Sequence, residues 1–158
     1  MNGISTFLWF DGRAQEAAEF YVSVFPDSRL TGDDVFDDPR PDGPGRVTLV
    51  TFELAGRPFT ALNGGPLFAF TPAISFVVDC DDQAEVDYYW DRLTDGGEES
   101  MCGWLVDRFG VSWQVIPRRL AEVLAGPDPE GAARATAEML QMRKLDVARL
   151  EAAYRGEI

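Results

Sequence analysis

The spacing of apolar residues predicts that the first part of the chain forms a strand, a helix and three further strands. Residues 4–10 are apolar and aromatic over a short run, which is typical of a strand. From Arg13 onwards the apolar residues recur at intervals of three and four, which predicts an amphipathic helix that Pro26 ends. An acidic loop rich in Pro and Gly follows the second strand. The predicted elements lie at residues 4–10, 14–25, 27–36, 47–54 and 58–63, with the loop at 37–45.

The same order returns in the second part of the chain. A helix is predicted to begin at Asp82, because Glu85 follows three residues later as in a capping box, and Gly96-Gly97 ends it. The strand that precedes this helix and the strands that follow it complete a second set. These elements are predicted at residues 73–79, 82–93, 98–101 and, as a hairpin, 102–117.

The hairpin at 102–117 predicts two different faces on its second arm. Val111, Trp113 and Val115 alternate with Ser112, Gln114 and Ile116. Because side chains alternate along a strand, the first set suits a packed core and the second suits a partly polar cavity. The Asp107-Arg108 pair lies in the turn of this hairpin, and we expect both side chains to point to water.

An internal repeat relates the two parts. Phe7 matches Phe76 at an offset of 69, Phe20-Tyr21 matches Tyr88-Tyr89 at 68, and Leu54 matches Val106 at 52. The fall of 16 predicts that the extra residues of the first part lie in its acidic loop. The sequence therefore predicts two βαβββ modules, at about residues 1–66 and 67–117. A single module leaves an open sheet edge, so two modules must pair within the chain or between chains.

The chain ends in a predicted helical extension, residues 118–158. A short helix is expected at residues 118–124, a second from Pro129 through Met142, and a third that Asp146 caps. This extension is too small for a separate domain, so we expect it to pack on the modules or on a second subunit. The fold class is thus α+β, two paired βαβββ modules with a C-terminal helical extension, and a homodimer is expected.

Composition excludes several classes of function. With 27 acidic and 14 basic residues, the net charge of -13 opposes binding to nucleic acid or to an anionic membrane. No run approaches the roughly 20 apolar residues that span a bilayer, and the first residues do not resemble a signal peptide. Two cysteines, Cys80 and Cys102, without CxxC spacing suit a reducing compartment. We therefore expect a cytoplasmic protein.

The absence of histidine restricts the chemistry most. It removes the commonest general acid and base, every Ser-His or Cys-His nucleophile, and the commonest transition-metal ligand. No G-x-G-x-x-G follows a predicted strand, so the usual nucleoside-cofactor cradle is also missing. We expect no S-adenosylmethionine site.

Four separated blocks of sequence resemble one protein family. They are FLWFDGRAQEAAEFYVSVFPDS, ALNGG, AISFVVDC and CGWLVDRFGVSWQVIP, at residues 7–28, 61–65, 73–80 and 102–117. They resemble the PhnB-like proteins often labelled 3-demethylubiquinone-9 3-methyltransferase, within the vicinal oxygen chelate superfamily of glyoxalase I and the extradiol dioxygenases. The resemblance implies a glyoxalase-like fold.

The resemblance also implies where a divalent metal would lie. The superfamily's enzymes bind the ion with one side chain from the first and last strands of each module. The matching positions here are near Ile4 or Thr6, Leu62, Ala73 and Gln114. Only Gln114 offers a ligand, and a weak one, so no metal is expected.

The strand faces that would line a binding cup are mostly apolar, with a few hydroxyls and one amide. Such a lining suits a modest-sized, mostly apolar ligand. The alternative is that these faces pack together and Gln114 bonds to Thr6 or Ser75. The face residues are Thr6, Leu8, Phe10, Thr60, Leu62, Ser75, Val77, Ser112, Gln114 and Ile116; the candidate ligand-binding residues are Thr6, Leu8, Asn63, Ser75, Trp104, Ser112 and Gln114.

The leading hypothesis is a metal-free dimer that binds a small molecule or has another cellular role. The rival is an enzyme acting on a small aromatic or quinone-like substrate, with Gln114, Asn63 or Glu53 polarising the substrate or accepting a proton. A third reading is a structural or regulatory partner that acts through its helical extension. No catalytic residue is identified from the sequence.

Overall fold

The structure is a computed structural model that describes residues 3–43 and 45–158. The chain divides into two compact units, one ending at Ala69 and the other running from Phe70 to Ile158. The predicted order of elements is confirmed, and so is the α+β fold class with two βαβββ modules. Of the predicted acidic loop, Pro44 lies outside the described residues. Among the described residues, no helix is both long enough and apolar enough to cross a membrane.

The first unit is one βαβββ module. Its strands lie in the order β1-β4-β3-β2, with β1 parallel to β4 and the other pairs antiparallel. The elements are β1 (Thr6–Phe10), α1 (Ala14–Val24), β2 (Arg29–Asp37), β3 (Arg46–Leu54) and β4 (Arg57–Asn63). The helix covers one face of the sheet, where Tyr21 stacks near Phe52. We call the uncovered side the open face of the first sheet.

The second unit repeats this topology. Its strands lie in the order β5-β8-β7-β6, again with the first and last strands of the module parallel. The elements are β5 (Phe76–Cys80), α2 (Gln83–Thr94), β6 (Glu98–Glu99), β7 (Trp104–Val106) and β8 (Ser112–Pro117). Val86, Trp90 and Leu93 of α2 are buried, as the helical spacing predicts. The side away from α2 is the open face of the second sheet.

The helical extension packs within the second unit. Its helices are α3 (Arg119–Leu124), α4 (Pro129–Met139) and α5 (Val147–Arg155). The helix α4 ends at Met139, so the prediction that it runs to Met142 is wrong. Met142 instead joins Leu145 and Leu150 in a buried cluster, against which Ile116 packs. The backbone N–H of Cys102 donates to Met142 O at 2.7 Å and ties the extension to the start of the last hairpin.

The strand pairing aligns the first strands of the two modules one residue away from the predicted alignment. Trp9 lies beside Leu62 in the first sheet, and Val77 lies beside Gln114 in the second. If Leu62 corresponds to Gln114, the first strands match at an offset of 68, as the helices do, and the predicted Phe7–Phe76 match is wrong. Because side chains alternate, this single residue inverts the predicted faces of β1.

Candidate functional site

The open face of the second sheet brings three of the predicted residues together. Gln114 of β8 lies between Val77 of β5 and Trp104 of β7 in the strand register, so all three side chains share a face. The Gln114 Nε2 donates a hydrogen bond to Ser75 Oγ at 2.9 Å. Val77 is 53% exposed and Trp104 is partly exposed. This polar pair therefore lies among apolar side chains that other residues of the unit do not bury.

A bond from Gln114 to Thr6 or Ser75 belongs to the alternative in which the strand faces pack together, and the structure shows the bond to Ser75. It uses only one end of the amide, because Gln114 Oε1 has no hydrogen-bond partner among the described residues. The Ser75 hydroxyl accepts this bond and retains its own proton to donate. The pair therefore offers the amide oxygen as an acceptor, and the second N–H of Gln114 and the Ser75 hydroxyl as donors, to a neighbouring molecule.

Ser112 lies on the same face one step away from Gln114, opposite Val106. It is buried, and its Oγ has no hydrogen-bond partner among residues 3–43 and 45–158. A buried hydroxyl without a partner costs about 1–3 kcal/mol, so a water or a ligand group bonded to it would stabilise the protein. The sequence identified Ser112 by alternation alone.

Leu8 does not lie on the open face of the first sheet, and its prediction is wrong. It is 6% exposed and packs in the core with Phe10, because strand alternation places both side chains on the side of the sheet that α1 covers. The predicted repeat was one residue out of register and therefore assigned them to the opposite face. Thr6, on the same side, is partly exposed at the start of the strand. The open face carries Phe7 and Trp9 instead. An alignment of the repeat by strand pairing rather than by matched aromatics would have found them.

Asn63 has a structural role at the start of the helix α1. Its Oδ1 accepts a hydrogen bond from the backbone N–H of Ala14 at 2.8 Å. Arg13, the N-cap residue, provides no such bond, so a side chain from the end of β4 satisfies one of the unpaired N–H groups of the first turn. The sequence left turn closure and ligand contact open for Asn63; the structure shows a third role, the cap of α1.

Asp107 is the largest departure from the sequence-based expectation. It is 3% exposed rather than pointing to water. Its Oδ1 accepts from the backbone N–H of Phe109 and of Val111, and its Oδ2 accepts from Trp113 Nε1 at 2.8 Å. Because its partners close the turn and anchor a core indole, this buried carboxylate stabilises the hairpin. Its neighbour Arg108 bonds to Asp95.

The remaining candidate groups have ordinary structural partners. Glu53 forms an ion pair with Arg29 at 2.9 Å on the open face of the first sheet. Trp90 and Trp113 are buried in the core of the second unit, as predicted. Burial raises the pKa of the Cys80 thiol to about 12, with smaller contributions from nearby carboxylates, so this thiol is protonated at neutral pH.

The residues at the metal positions implied by the superfamily do not fit a divalent ion. Leu62 and Ala73 carry no donor atom, and Gln114 offers only a neutral amide oxygen. Among the described residues, no group of three or more His, Cys, Asp and Glu side chains is arranged to hold a metal.

Two βαβββ modules, each with a helix on one side of a mixed four-stranded sheet, define a glyoxalase-like α+β fold, the fold implied by the resemblance of the sequence. The family model for 3-demethylubiquinone-9 3-methyltransferase matches residues 2–116. The chain belongs to this family, whose members include PhnB-like proteins.

Solved structures show the same fold. A PhnB protein from Bacillus cereus, named for 3-demethylubiquinone-9 3-methyltransferase, is 34% identical, covers 73% of this chain and 99% of its own, and has a TM-score of 0.64. The protein PA1353 from Pseudomonas aeruginosa is 23% identical, with coverages of 74% and 98% and a TM-score of 0.61. The fosfomycin resistance protein FosX from Mesorhizobium loti is 16% identical, with coverages of 80% and 99% and a TM-score of 0.54. No curated protein sequence matches the chain.

Proposed function

We propose that this protein binds a small, mostly apolar and uncharged molecule on the open face of its second sheet, without a metal. One observation carries the proposal: the Gln114–Ser75 pair, with Gln114 Oε1 unpartnered among the described residues, lies between the exposed Val77 and the partly exposed Trp104. Ligand sites are typically apolar surfaces with a few placed polar groups. Trp104 supplies an aromatic surface, and Ser112 a buried hydroxyl next to the pair.

Among the described residues, strand alternation places no Lys or Arg on this face, which favours an uncharged ligand. By strand alternation the charged residues of this face are Asp79 and Glu98, at its ends. These two carboxylates would repel an anionic ligand. From the first module, Thr6 and Asn63 stay predicted ligand contacts, although Asn63 Oδ1 already bonds to Ala14.

A fragment screen by thermal shift and ligand-detected NMR tests this site. Uncharged aromatic fragments should bind to the natural protein and lose binding in Gln114→Leu, which keeps the size and removes the amide. The matched control is Gln141→Leu, an exposed glutamine of the extension, which should bind as the natural protein does. Equal binding by the Gln114 and Gln141 variants, or a preference for anionic fragments that depends on Gln114, would contradict the proposal.

The family name suggests methyl transfer to a quinone-like ring, and catalysis is the rival hypothesis. No glycine-rich cofactor motif supports it in this sequence. Calorimetry with S-adenosylmethionine separates the binding hypothesis from the methyltransferase hypothesis. The binding hypothesis predicts no micromolar affinity for this cofactor. Micromolar affinity would establish the rival.

We also propose that the protein acts as a cytoplasmic homodimer. The strand β2 is an edge strand of nine residues, exposed throughout, and it carries Leu30, Val35 and Phe36 on its surface. Exposed apolar edges are normally covered or blocked by charge. Light scattering at micromolar concentration should give the mass of two chains, and the mass of one chain would contradict this part.

A further inference from the structure

The open face of the first sheet is apolar and aromatic along β1 and β4, whereas its charged residues Arg29, Asp34 and Glu53 lie on β2 and β3. Trp9, Leu62 and Leu49 lie side by side in one row across the strands. The next row holds Phe7, which is 58% exposed, beside Thr60. The face thus presents an aromatic and aliphatic surface with a hydroxyl at its centre.

A cation lies at the Trp9 end of this face. Arg40, from the loop after β2, places its Cζ 5.2 Å from the centre of the Trp9 ring. Its Nη2 donates to Gly64 O, at the end of β4, at 3.1 Å. A guanidinium over an indole face is attracted by the ring's negative surface. The loop that was expected from sequence as an exposed insertion is therefore anchored to the sheet.

Asp38 fixes the orientation of this guanidinium. Its Oδ1 accepts from Arg40 Nε at 2.9 Å and its Oδ2 accepts from Arg40 Nη2 at 2.7 Å. The Asp38 side chain is 2% exposed, whereas that of Arg40 is 37% exposed. These hydrogen bonds lower the pKa of Asp38, so the pair is ionised at neutral pH. The carboxylate is thus covered, and Arg40 Nη1, without a hydrogen-bond partner among the described residues, remains as a donor.

The Trp9 ring is itself held in place. Its Nε1 donates to Gly65 O at 2.8 Å, and Phe68 contacts it edge-on with 5.0 Å between ring centres. A Cβ on Gly64 would lie 2.2 Å from the ring, so a residue with a side chain cannot replace this glycine without moving Trp9. Arg40 therefore rests on a fixed platform, and binding to it requires little additional ordering.

We propose that the open face of the first sheet binds a small apolar monocarboxylic acid, with its hydrocarbon body on Phe7, Leu62 and Leu49 and its carboxylate at Arg40. Arg40 supplies the anion contact through a charge-assisted hydrogen bond, although the net charge of the whole chain is -13. Asp38 beside it, and Asp34 opposite Leu49 on the same face, disfavour a dianion such as a phosphate ester. A monoanion with an apolar body is the class that fits both features.

This site is independent of the one proposed on the second sheet. It uses other residues, and the two ligands differ in charge: the second sheet has no cation on its open face, whereas the first has Arg40. Either proposal can fail while the other stands.

Titrations with benzoate and benzamide, followed by NMR of the protein and by calorimetry, test the charge requirement. The two probes have the same ring and differ in charge. Benzoate should bind about tenfold more tightly than benzamide, because only the carboxylate forms a charge-assisted bond with Arg40. This preference should weaken as salt is raised. Equal affinities of the two probes in Gln114→Leu, where the site of the second sheet is removed, would overturn the proposal.

Two variants test whether Arg40 causes the preference for benzoate over benzamide. Arg40→Gln should remove the preference for benzoate, and Arg46→Gln, which removes a neighbouring exposed cation, should keep it. Near-ultraviolet circular dichroism shows whether Trp9 stays ordered in Arg40→Gln; if it does not, Arg40→Lys, which keeps the charge, should retain part of the preference. Gln114→Leu should leave benzoate binding unchanged, which separates this result from the test of the second sheet. Full benzoate affinity in Arg40→Gln, or loss in Arg46→Gln, would contradict the site.

Discussion

The two sheets place opposite chemistry at the same position of the same topology. In the first sheet, Phe52 of β3 stacks on Phe59 with 5.3 Å between ring centres and is buried below Tyr21. In the second sheet, the strand register places Asp107 at the corresponding point, buried and hydrogen-bonded to Trp113. Strand alternation decides which face a residue occupies, but hydrocarbon packing and a fully bonded carboxylate both satisfy a buried position.

The turns beside these residues explain the difference. In the first sheet a two-residue turn, Ala55-Gly56, closes the hairpin with positive φ angles of 47° and 75° at both positions. The twist of such a turn matches that of the strands, and its side-chain hydrogen bond comes from outside the hairpin, from the Ala55 N–H to Ser28 Oγ at 3.2 Å. The second hairpin has a longer connection, and Asp107 accepts the N–H groups of Phe109 and Val111 within it. The carboxylate is therefore part of the turn as well as of the core.

The largest expected effect comes from emptying the apolar position. Phe52→Ala should lower the free energy of unfolding by about 4 kcal/mol, because it removes a buried ring between two others and leaves a cavity. Phe52→Leu, which refills most of the volume, should cost clearly less. Urea unfolding followed by circular dichroism measures both. A cost for the alanine variant no larger than that of the leucine variant would show that this position is not tightly packed.

The polar position should depend on bonding rather than volume. Asp107→Ala should cost about 3 kcal/mol, because three donors lose their acceptor inside the protein. Asp107→Asn keeps one oxygen acceptor and nearly the same size, so it should cost less than the alanine variant. Urea unfolding, with Trp113 fluorescence as the probe, measures both variants. Equal costs for the two would mean that shape and not hydrogen bonding holds this residue.

The same contrast shows how far the sequence predicts the structure. Periodicity gave the order of strands and helices in both modules, and alternation placed Gln114 and Trp113 on opposite faces of β8. It failed for Leu8, because the matched aromatics Phe7 and Phe76 set the repeat one residue out of register, and a shift of one residue inverts a strand. Matching by residue type cannot detect this, whereas strand pairing can.

The contacts that depend on distant segments were not predictable from local pattern. The acidic loop gave no periodicity from which to infer that Arg40 reaches the end of β4, 24 residues along the chain. Asp107 was assigned to solvent because turn residues are usually exposed, whereas its partners include a tryptophan six residues later. Predicting either contact requires knowledge of the three-dimensional path of the chain.

The starts of the two helices provide a further comparison, with a smaller effect. The first turn of α1 is bonded by Asn63, from a strand far along the chain, and that of α2 by its own N-cap, Asp82, which accepts from Glu85 N at 3.0 Å. Asn63→Ala and Asp82→Ala should each cost about 1 kcal/mol of unfolding free energy, the usual value of a cap. Thermal unfolding of the two variants measures the costs. If only Asp82→Ala destabilised the protein, the Asn63 bond would have no capping role.

The smallest effect is expected from acid at the open face of the first sheet, where the second sheet has no counterpart. The hydrogen bonds from Arg40 lower the pKa of Asp38 in the folded protein. The stabilisation by this pair is therefore fully present above the usual aspartate pKa of about 3.9, and it is lost as the pH falls through the lower pKa of the folded state. Arg40 is partly exposed to solvent, so the contribution of the pair is small. Because Arg40 lies over Trp9, its release should change the Trp9 fluorescence in this acidic range. In Asp38→Asn that acid step should be absent and the emission at neutral pH should already be altered; an unchanged acid step in this variant would assign the transition to another carboxyl group.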